Sequence, residues 1–219
     1  MHDEAVKFDD RRDAGRRLAA VVPAEQLPAI VLGLPRGGVP VAAEVARRLH
    51  APLDVLLVRK LGVPFQSELA MGAIGEDGVR VANRDVMAMT GTTDDDLDRV
   101  EVDERVELER RSRAYRAVRP RESLQGRVAL IVDDGIATGA TARAACEVAR
   151  RHGAARVVLA VPVAPAGWRD DMGDAADAYV AVMEPAHFSA VGEWYREFGQ
   201  TSDDEVVELL RAASMPTTE

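Results

Sequence analysis

The chain has 219 residues, 47% of them hydrophobic and 30% charged, with a formal net charge of −9 at pH 7. This suits one α/β domain with a sizeable core and a small appendage, and no apolar run is long enough to cross a bilayer. The acidic balance disfavours broad binding to nucleic acid or anionic lipid, so an anionic ligand must be drawn by a local site.

The single cysteine, Cys146, allows no internal disulfide and reads as a small buried apolar group. With the polar start MHDEAVKFDDRR, which is not a signal peptide, it points to a cytoplasmic protein. His2, His50, His152 and His187 are scattered, with no pair at metal-ligand spacing.

Asp10 to about Val22 reads as an opening helix, with Leu18, Val21 and Val22 as its apolar contribution and Pro23 and Pro28 marking its exit. Ala29 to Leu34 follows as a short buried strand. It ends in Pro35-Arg36-Gly37-Gly38-Val39-Pro40, and Val41 to Leu49 is helical. Bare amides at Gly37 and Gly38 beside the Arg36 guanidinium make either a diphosphate site or a tight connection that needs glycine. Leu53 to Val58 is the next strand and runs into Arg59-Lys60. Lys60 and Lys7 are the only lysines in an arginine-rich chain, so Lys60 is either a wanted compact ammonium or half of a solvated pair.

In the stretch from Gly62 to Thr92, Gly75-Glu76-Asp77-Gly78 lies between two apolar runs, which suggests a hairpin. Thr93-Asp94-Asp95-Asp96 then opens a long helix to about Val118, with Glu101–Arg105, Glu107–Arg111 and Glu109–Arg113 at i,i+4 spacing. It reads as a salt-bridged surface helix, a dimer contact being the lesser reading. Pro120 ends it.

The stretch RVALIVDDGIATGATARAA, Arg127 to Ala145, is the centre of the chain. Val128 to Val132 suits a strand buried on both faces, and a helix continues to about His152. Between them, helix-start amides with Thr138 and Thr141 hydroxyls form an anion site suited to a phosphate. Asp133 and Asp134 would repel that phosphate and suit sugar hydroxyls, or a Mg²⁺ that offsets their charge. Ribose 5-phosphate satisfies both halves. With no lysine after the glycine, the loop is no Walker A site.

Arg156 to Val163 is a strand that its prolines place late in the sheet or at an edge, Trp168 to Ala176 a short helix and Ala178 to Val182 a final strand. Phe188, Trp194, Tyr195 and Phe198 crowd into HFSAVGEWYREF, where packing onto the domain is preferred over stacking on a planar acceptor. Ser202 with Glu205 caps the last helix before a frayed end.

IVDDGIATGAT resembles the phosphoribosyl pyrophosphate (PRPP) loop of the type I phosphoribosyltransferases, and LPRGG resembles their pyrophosphate loop, in the right order. The resemblance covers most of Ile30 to Val163. It implies an α/β fold, a doubly wound and mostly parallel sheet of the type I kind, with a small hood or lid region and a C-terminal helical tail. The ligand would lie at the carboxyl ends of the strands. The domain reading is an N-terminal helix over 1–28, a transferase core over 29–183 with a flexible loop at about 62–92, and an aromatic segment and helix over 184–219.

By the same resemblance Asp133 and Asp134 hold the ribose hydroxyls and Ala137, Thr138, Gly139, Ala140 and Thr141 hold the 5-phosphate. Arg36, Gly37 and Gly38 take the pyrophosphate with Arg59 and Lys60 beside it, and Asp133 and Asp134 serve Mg²⁺, directly or through water or substrate. Glu68, Arg80 and Arg84 are lid candidates, and Val163 to Gly167 lines the base pocket by position. The implied reaction displaces pyrophosphate from C1 of PRPP by a nitrogen nucleophile, with Arg59, Lys60, Asp133 and Asp134 as its catalytic groups. Ala137 stands where family members that use 6-oxopurines carry an aspartate, so those acceptors are disfavoured. Partners are PRPP and a small-molecule acceptor, without nucleic acid or membrane, and a homodimer is left open. The rival reading is a non-catalytic PRPP-binding regulatory homologue.

Overall fold

The computed structural model describes residues 7–23 and 29–214, so the expectations for His2, for Pro28 and for 215–219 lie outside the described residues. Along the chain run α1 (Arg11–Val21), β1 (Ala29–Gly33), α2 (Gly38–Leu49), β2 (Leu53–Val55), β3 (Val58–Val63), β4 (Gln66–Gly75) and β5 (Arg80–Ala82). After these come α3 (Arg84–Thr90), α4 (Asp94–Arg116), β6 (Val128–Val132), α5 (Ala140–Arg151), β7 (Arg156–Val163), α6 (Trp168–Met172), β8 (Ala178–Met183) and α7 (Asp203–Ser214).

The unbroken apolar runs form a parallel sheet in the order β2-β1-β6-β7-β8. Ile30, Leu32, Ile131, Val157 and Leu159 pack on one side with Cys146 of α5 and Trp168 of α6. Val31, Leu53, Leu130 and Val158 pack on the other with Leu18 of α1, Val45 of α2 and Leu210 of α7. A sheet covered on both faces is why these strands show no alternation. β7 is next to the edge strand β8, in keeping with its prolines. Cys146 is buried, its thiol pushed up to about 12 by that burial, as an inert packing residue should be. Among the described residues no helix is long and apolar enough to cross a membrane.

The run Leu53 to Val58, read as one strand, is two. β2 stops at Val55, the Leu56 N–H closes onto Gly33 O at 3.1 Å, and Val58 opens a second, antiparallel sheet β3-β4-β5. Burial of Leu56 and Leu57 across the junction, 4% and 2% exposed, makes the run look continuous. Arg59 and Lys60 therefore lie inside β3 rather than at a strand end.

The hairpin around Gly75 to Gly78 is present, its turn running Glu76–Gly78 between β4 and β5. This sheet packs between α4 and α5, and α3 follows it, capped by Asn83, whose side chain accepts the Val86 N–H at 3.1 Å.

α4 begins with a capping box: the Thr93 N–H donates to Asp96 (2.9 Å) and the Asp96 N–H to the Thr93 hydroxyl (3.3 Å). All three anticipated i,i+4 ion pairs form. Its inner face carries Leu97, Leu108 and Tyr115, and ends at Arg116, which reaches Asp54 of β2 and Glu76 of the hairpin turn at 2.6 Å each.

Candidate functional site

Strand order reverses between β1 and β6, because the chain leaves β1 toward β2 on one side and β6 toward β7 on the other. Loops that follow these two strands diverge, which opens a crevice at their carboxyl ends. The register brings both loops to the same level: Gly33 pairs with Val132, and the Leu34 N–H donates to Val132 O at 2.9 Å.

The first loop passes through Pro35 and Arg36, joined by a cis peptide, to Gly37 and Gly38. A Cβ on Gly37 would lie 2.1 Å from Asp134 Oδ2, and one on Gly38 2.6 Å from Val132 O and 3.0 Å from Asp133 Oδ1. Gly37 needs to be glycine because the Asp134 carboxylate lies against it and Gly38 because the backbone of Val132 and Asp133 passes there, not because of a left-handed φ. The arginine-glycine loop and the acidic pair, remote in sequence, are thus in contact. The Arg36 guanidinium makes no ion pair among the described residues.

Asp133 and Asp134 sit where β6 leaves the sheet. The Asp134 N–H donates to Asp133 Oδ1, and Arg11 Nε donates to Asp134 Oδ2, each at 2.9 Å. Burial pushes both carboxyls up; the neighbouring Asp134 pushes Asp133 further, while Arg11 draws Asp134 back. Arg11 Nη1 also donates to Gly199 O at 2.5 Å, and its guanidinium lies 4.0 Å from the Phe198 ring centroid. Tyr195, 5.3 Å from Phe8 and 4.8 Å from Phe198 between ring centroids, donates its hydroxyl to Asp134 O at 2.6 Å. Burial raises that phenol well above its ordinary value.

Arg11, Tyr195 and Phe198 are therefore site neighbours that the sequence reading did not assign. The aromatic tail packs on the domain, as preferred, with Phe8, Ala14 and Val163. What it packs on is the acidic pair's support. The only advance signal was the concentration of rings.

The second loop continues through buried Gly135 and Ile136, where the Ile136 N–H donates to Val163 O at 2.9 Å. Ala137 and Thr138 are exposed, and Gly139, at φ 75°, is the residue before α5. The first amides of α5 have no intrahelical acceptor, and neither threonine hydroxyl is bonded among the described residues. Thr138 and Thr141 are free to meet an anion there.

Arg59 and Lys60 separate, because neighbours on a strand face opposite ways. Arg59 pairs with Glu104 of α4 (Nε 2.6 Å, Nη2 2.5 Å), and Lys60 with Glu68 of β4 at 2.8 Å. Glu68 lines a groove of about 250 Å³ together with Asn83, Thr138, Arg143 and Glu147, so the Lys60 pair lies on the side of the phosphate loop. Arg80 and Arg84, the other lid candidates, pair with Asp98, Glu101 and Asp94 around α4. Of the base-pocket segment, Val163 is buried while Ala166 and Gly167 are exposed.

Among the described residues no three His, Cys, Asp or Glu side chains form a group that could hold a metal. Two adjacent carboxylates beside the free amides at the start of α5 fit Mg²⁺, which is commonly held by one or two carboxylates with substrate oxygens and water completing its shell.

A family model described as phosphoribosyl transferase domain matches residues 9–183. Two Mycobacterium tuberculosis proteins, carried under a provisional phosphoribosyl transferase name, are 59% identical over 207 residues, covering 94% of this chain and 47% of theirs. The chain thus spans about half the length of these curated relatives. A stretch of 51 residues, 22% of this chain and 28% of the other, is 53% identical to the adenine phosphoribosyltransferase of Kineococcus radiotolerans. The crystal structure of TT1426 from Thermus thermophilus matches over 95% of this chain and 100% of that one, with a TM-score of 0.84 and 42% identity.

Proposed function

Because the chain belongs to the phosphoribosyl transferase family, we propose that it is a Mg²⁺-dependent enzyme that displaces pyrophosphate from C1 of PRPP with a nitrogen nucleophile on a nucleobase-like acceptor. The observation that carries this reading is the contact between the arginine-glycine loop and the acidic pair, with Gly37 directly against Asp134 Oδ2. A phosphate loop alone argues for a ribose phosphate; the second loop beside its acids argues for a ribose bearing pyrophosphate as well.

In the reaction the C1–O bond to pyrophosphate breaks, a C1–N bond forms with inversion, and the acceptor nitrogen loses its proton to solvent. Asp133 and Asp134 accept the ribose 2- and 3-hydroxyls and place negative charge near the developing oxocarbenium ion. Ala137 to Thr141 hold the 5-phosphate through backbone amides and the two threonine hydroxyls. Arg36, with the Gly37 and Gly38 amides, offsets charge building on the leaving pyrophosphate. Bound Mg²⁺ supplies further compensation there, and Asp133 and Asp134 are the residues that would hold it. Ala137 brings no proton-transfer group to the base, which disfavours 6-oxopurines; the segment shared with an adenine enzyme points the same way.

One observation favours the second reading, PRPP binding without turnover. Arg59 and Lys60, expected at the pyrophosphate, are each paired with a glutamate. Pyrophosphate release from PRPP and Mg²⁺ across a panel of bases and amines separates the two. Release with one acceptor class supports the enzyme; tight PRPP binding with no release for any acceptor supports the regulator, and no PRPP binding refutes both.

A further inference from the structure

Each carboxylate of the acidic pair has one oxygen held by the protein and one without a protein donor among the described residues. Asp133 Oδ1 takes the Asp134 N–H and Asp134 Oδ2 takes Arg11 Nε. The oxygens left over, Asp133 Oδ2 and Asp134 Oδ1, form a pair of acceptors, which is what two vicinal hydroxyls require. The terminal torsion of an aspartate is broad, so a carboxylate keeps such a division only if a donor sets it. For Asp134 that donor comes from α1, outside both ligand loops.

Arg11 is itself held. Its side chain is 13% exposed, Nη1 donates to Gly199 O and the guanidinium rests on Phe198. Tyr195, in tilted contact with both Phe8 and Phe198, donates its hydroxyl to the Asp134 carbonyl. Across the crevice Gly37 crowds Asp134 Oδ2, so the engaged oxygen is confined from both directions.

We propose that Arg11 is a positioning residue for the ribose site. By holding Asp134 Oδ2 it presents Asp134 Oδ1 to the ribose 2-hydroxyl, and through Phe198 and Gly199 the C-terminal segment takes part in selecting ribose over deoxyribose. This rests on the ribose-phosphate reading of the acidic pair. It extends that reading to residues beyond the span matched by the family model, which ends at 183.

Calorimetry on the full chain with Mg²⁺ tests it with three probes: ribose 5-phosphate, 2-deoxyribose 5-phosphate and inorganic pyrophosphate. The wild-type chain should prefer ribose 5-phosphate to the deoxy sugar by about tenfold or more, as expected for one hydrogen bond to a charged acceptor. Arg11→Met keeps the length and the contact with Phe198 but donates nothing. It should bring that ratio close to one while changing pyrophosphate affinity by less than about twofold. Arg11→Lys, which retains a donor, should recover part of the ratio, and Phe198→Leu should lower it by a smaller factor. An unchanged ratio in Arg11→Met overturns the proposal. So does an equal loss for all three probes, the outcome of a merely structural defect. A wild-type chain that binds neither sugar phosphate overturns the ribose-phosphate reading itself, and the proposal with it.

Discussion

Gly37 and Asp133 show how closely the site is set by single atoms. A methyl at position 37 would stand 2.1 Å from Asp134 Oδ2, so Gly37→Ala must displace that carboxylate or the loop. We predict at least about a tenfold loss of PRPP affinity in a folded protein, read by calorimetry beside a thermal melt. Asp133 carries the opposite balance. Its folded-state pKa lies above the ordinary aspartate value, chiefly through burial and then through Asp134, so the native state keeps its proton to higher pH than the unfolded chain does. That contribution to stability is full below the unfolded pKa of about 3.9 and is lost as pH rises through the folded value. Asp133→Asn should therefore match the wild type in acid and melt higher at pH 8, by a few degrees at roughly 2–4 °C per kcal/mol. It should also bind PRPP far more weakly. A melting difference that does not grow with pH would contradict this account.

At the scale of elements, Arg116 joins three pieces of chain. From the end of α4 it bonds Asp54 of β2 and Glu76 at the turn of the small sheet, and Ser112 donates to the same Glu76 at 2.7 Å. Burial pushes both acids up; Asp54, fully buried, stays raised, while at Glu76 the Arg116 guanidinium prevails and holds it low. Arg116→Met would leave two buried carboxylates without their cation, at a cost of about 3–5 kcal/mol by denaturant titration. Without the arginine both acids hold protons more readily, so the deficit should shrink as pH falls from 8 toward 5. A deficit independent of pH would mean that lost packing dominates. Much of this architecture could be read in advance. The Thr93 capping box and the α4 ion pairs depend on residues within one or two turns, and all are present. The partners of Arg116 could not be read, because they are separated from it by 62 and 40 positions. Strand alternation likewise required Arg59 and Lys60 to diverge; which helix or strand each would meet depended on how the small sheet docks.

For the whole molecule, the C-terminal segment is part of the core although the family model stops before it. Val206 and Leu210 of α7 are fully buried with the core that contains Leu18 and Leu53, and Tyr115 of α4 donates to Asp203 at 2.5 Å. Leu210→Ala should cost about 2–5 kcal/mol, in the range for a buried leucine, and should unfold the chain as one cooperative unit. Early melting of the tail alone, seen by Trp194 fluorescence ahead of far-ultraviolet dichroism, would show that the segment is an independent appendage. The site draws on both ends of this fold: α1 supplies Arg11, the tail supplies Tyr195 and Phe198, and the two meet at the loop after β6.

The sequence by itself determined the strands of the parallel sheet, apart from where β2 ends, the helices α1, α2, α4, α5 and α7, and the glycine-rich loops that follow β1 and β6. Unbroken apolar runs have one stable place, inside a sheet covered on both faces, and glycine, threonine and aspartate act through the backbone beside them. Only the tertiary structure decided that Leu53 to Val58 divides between two sheets, that Lys60 pairs with Glu68 of β4 while Arg59 pairs with Glu104 of α4, and that Arg11 reaches Asp134. These outcomes depend on long-range packing, which selects among many equally charged or equally apolar candidates. Nothing in the residues near Arg11 distinguishes it from Arg12; the position of Asp134 does.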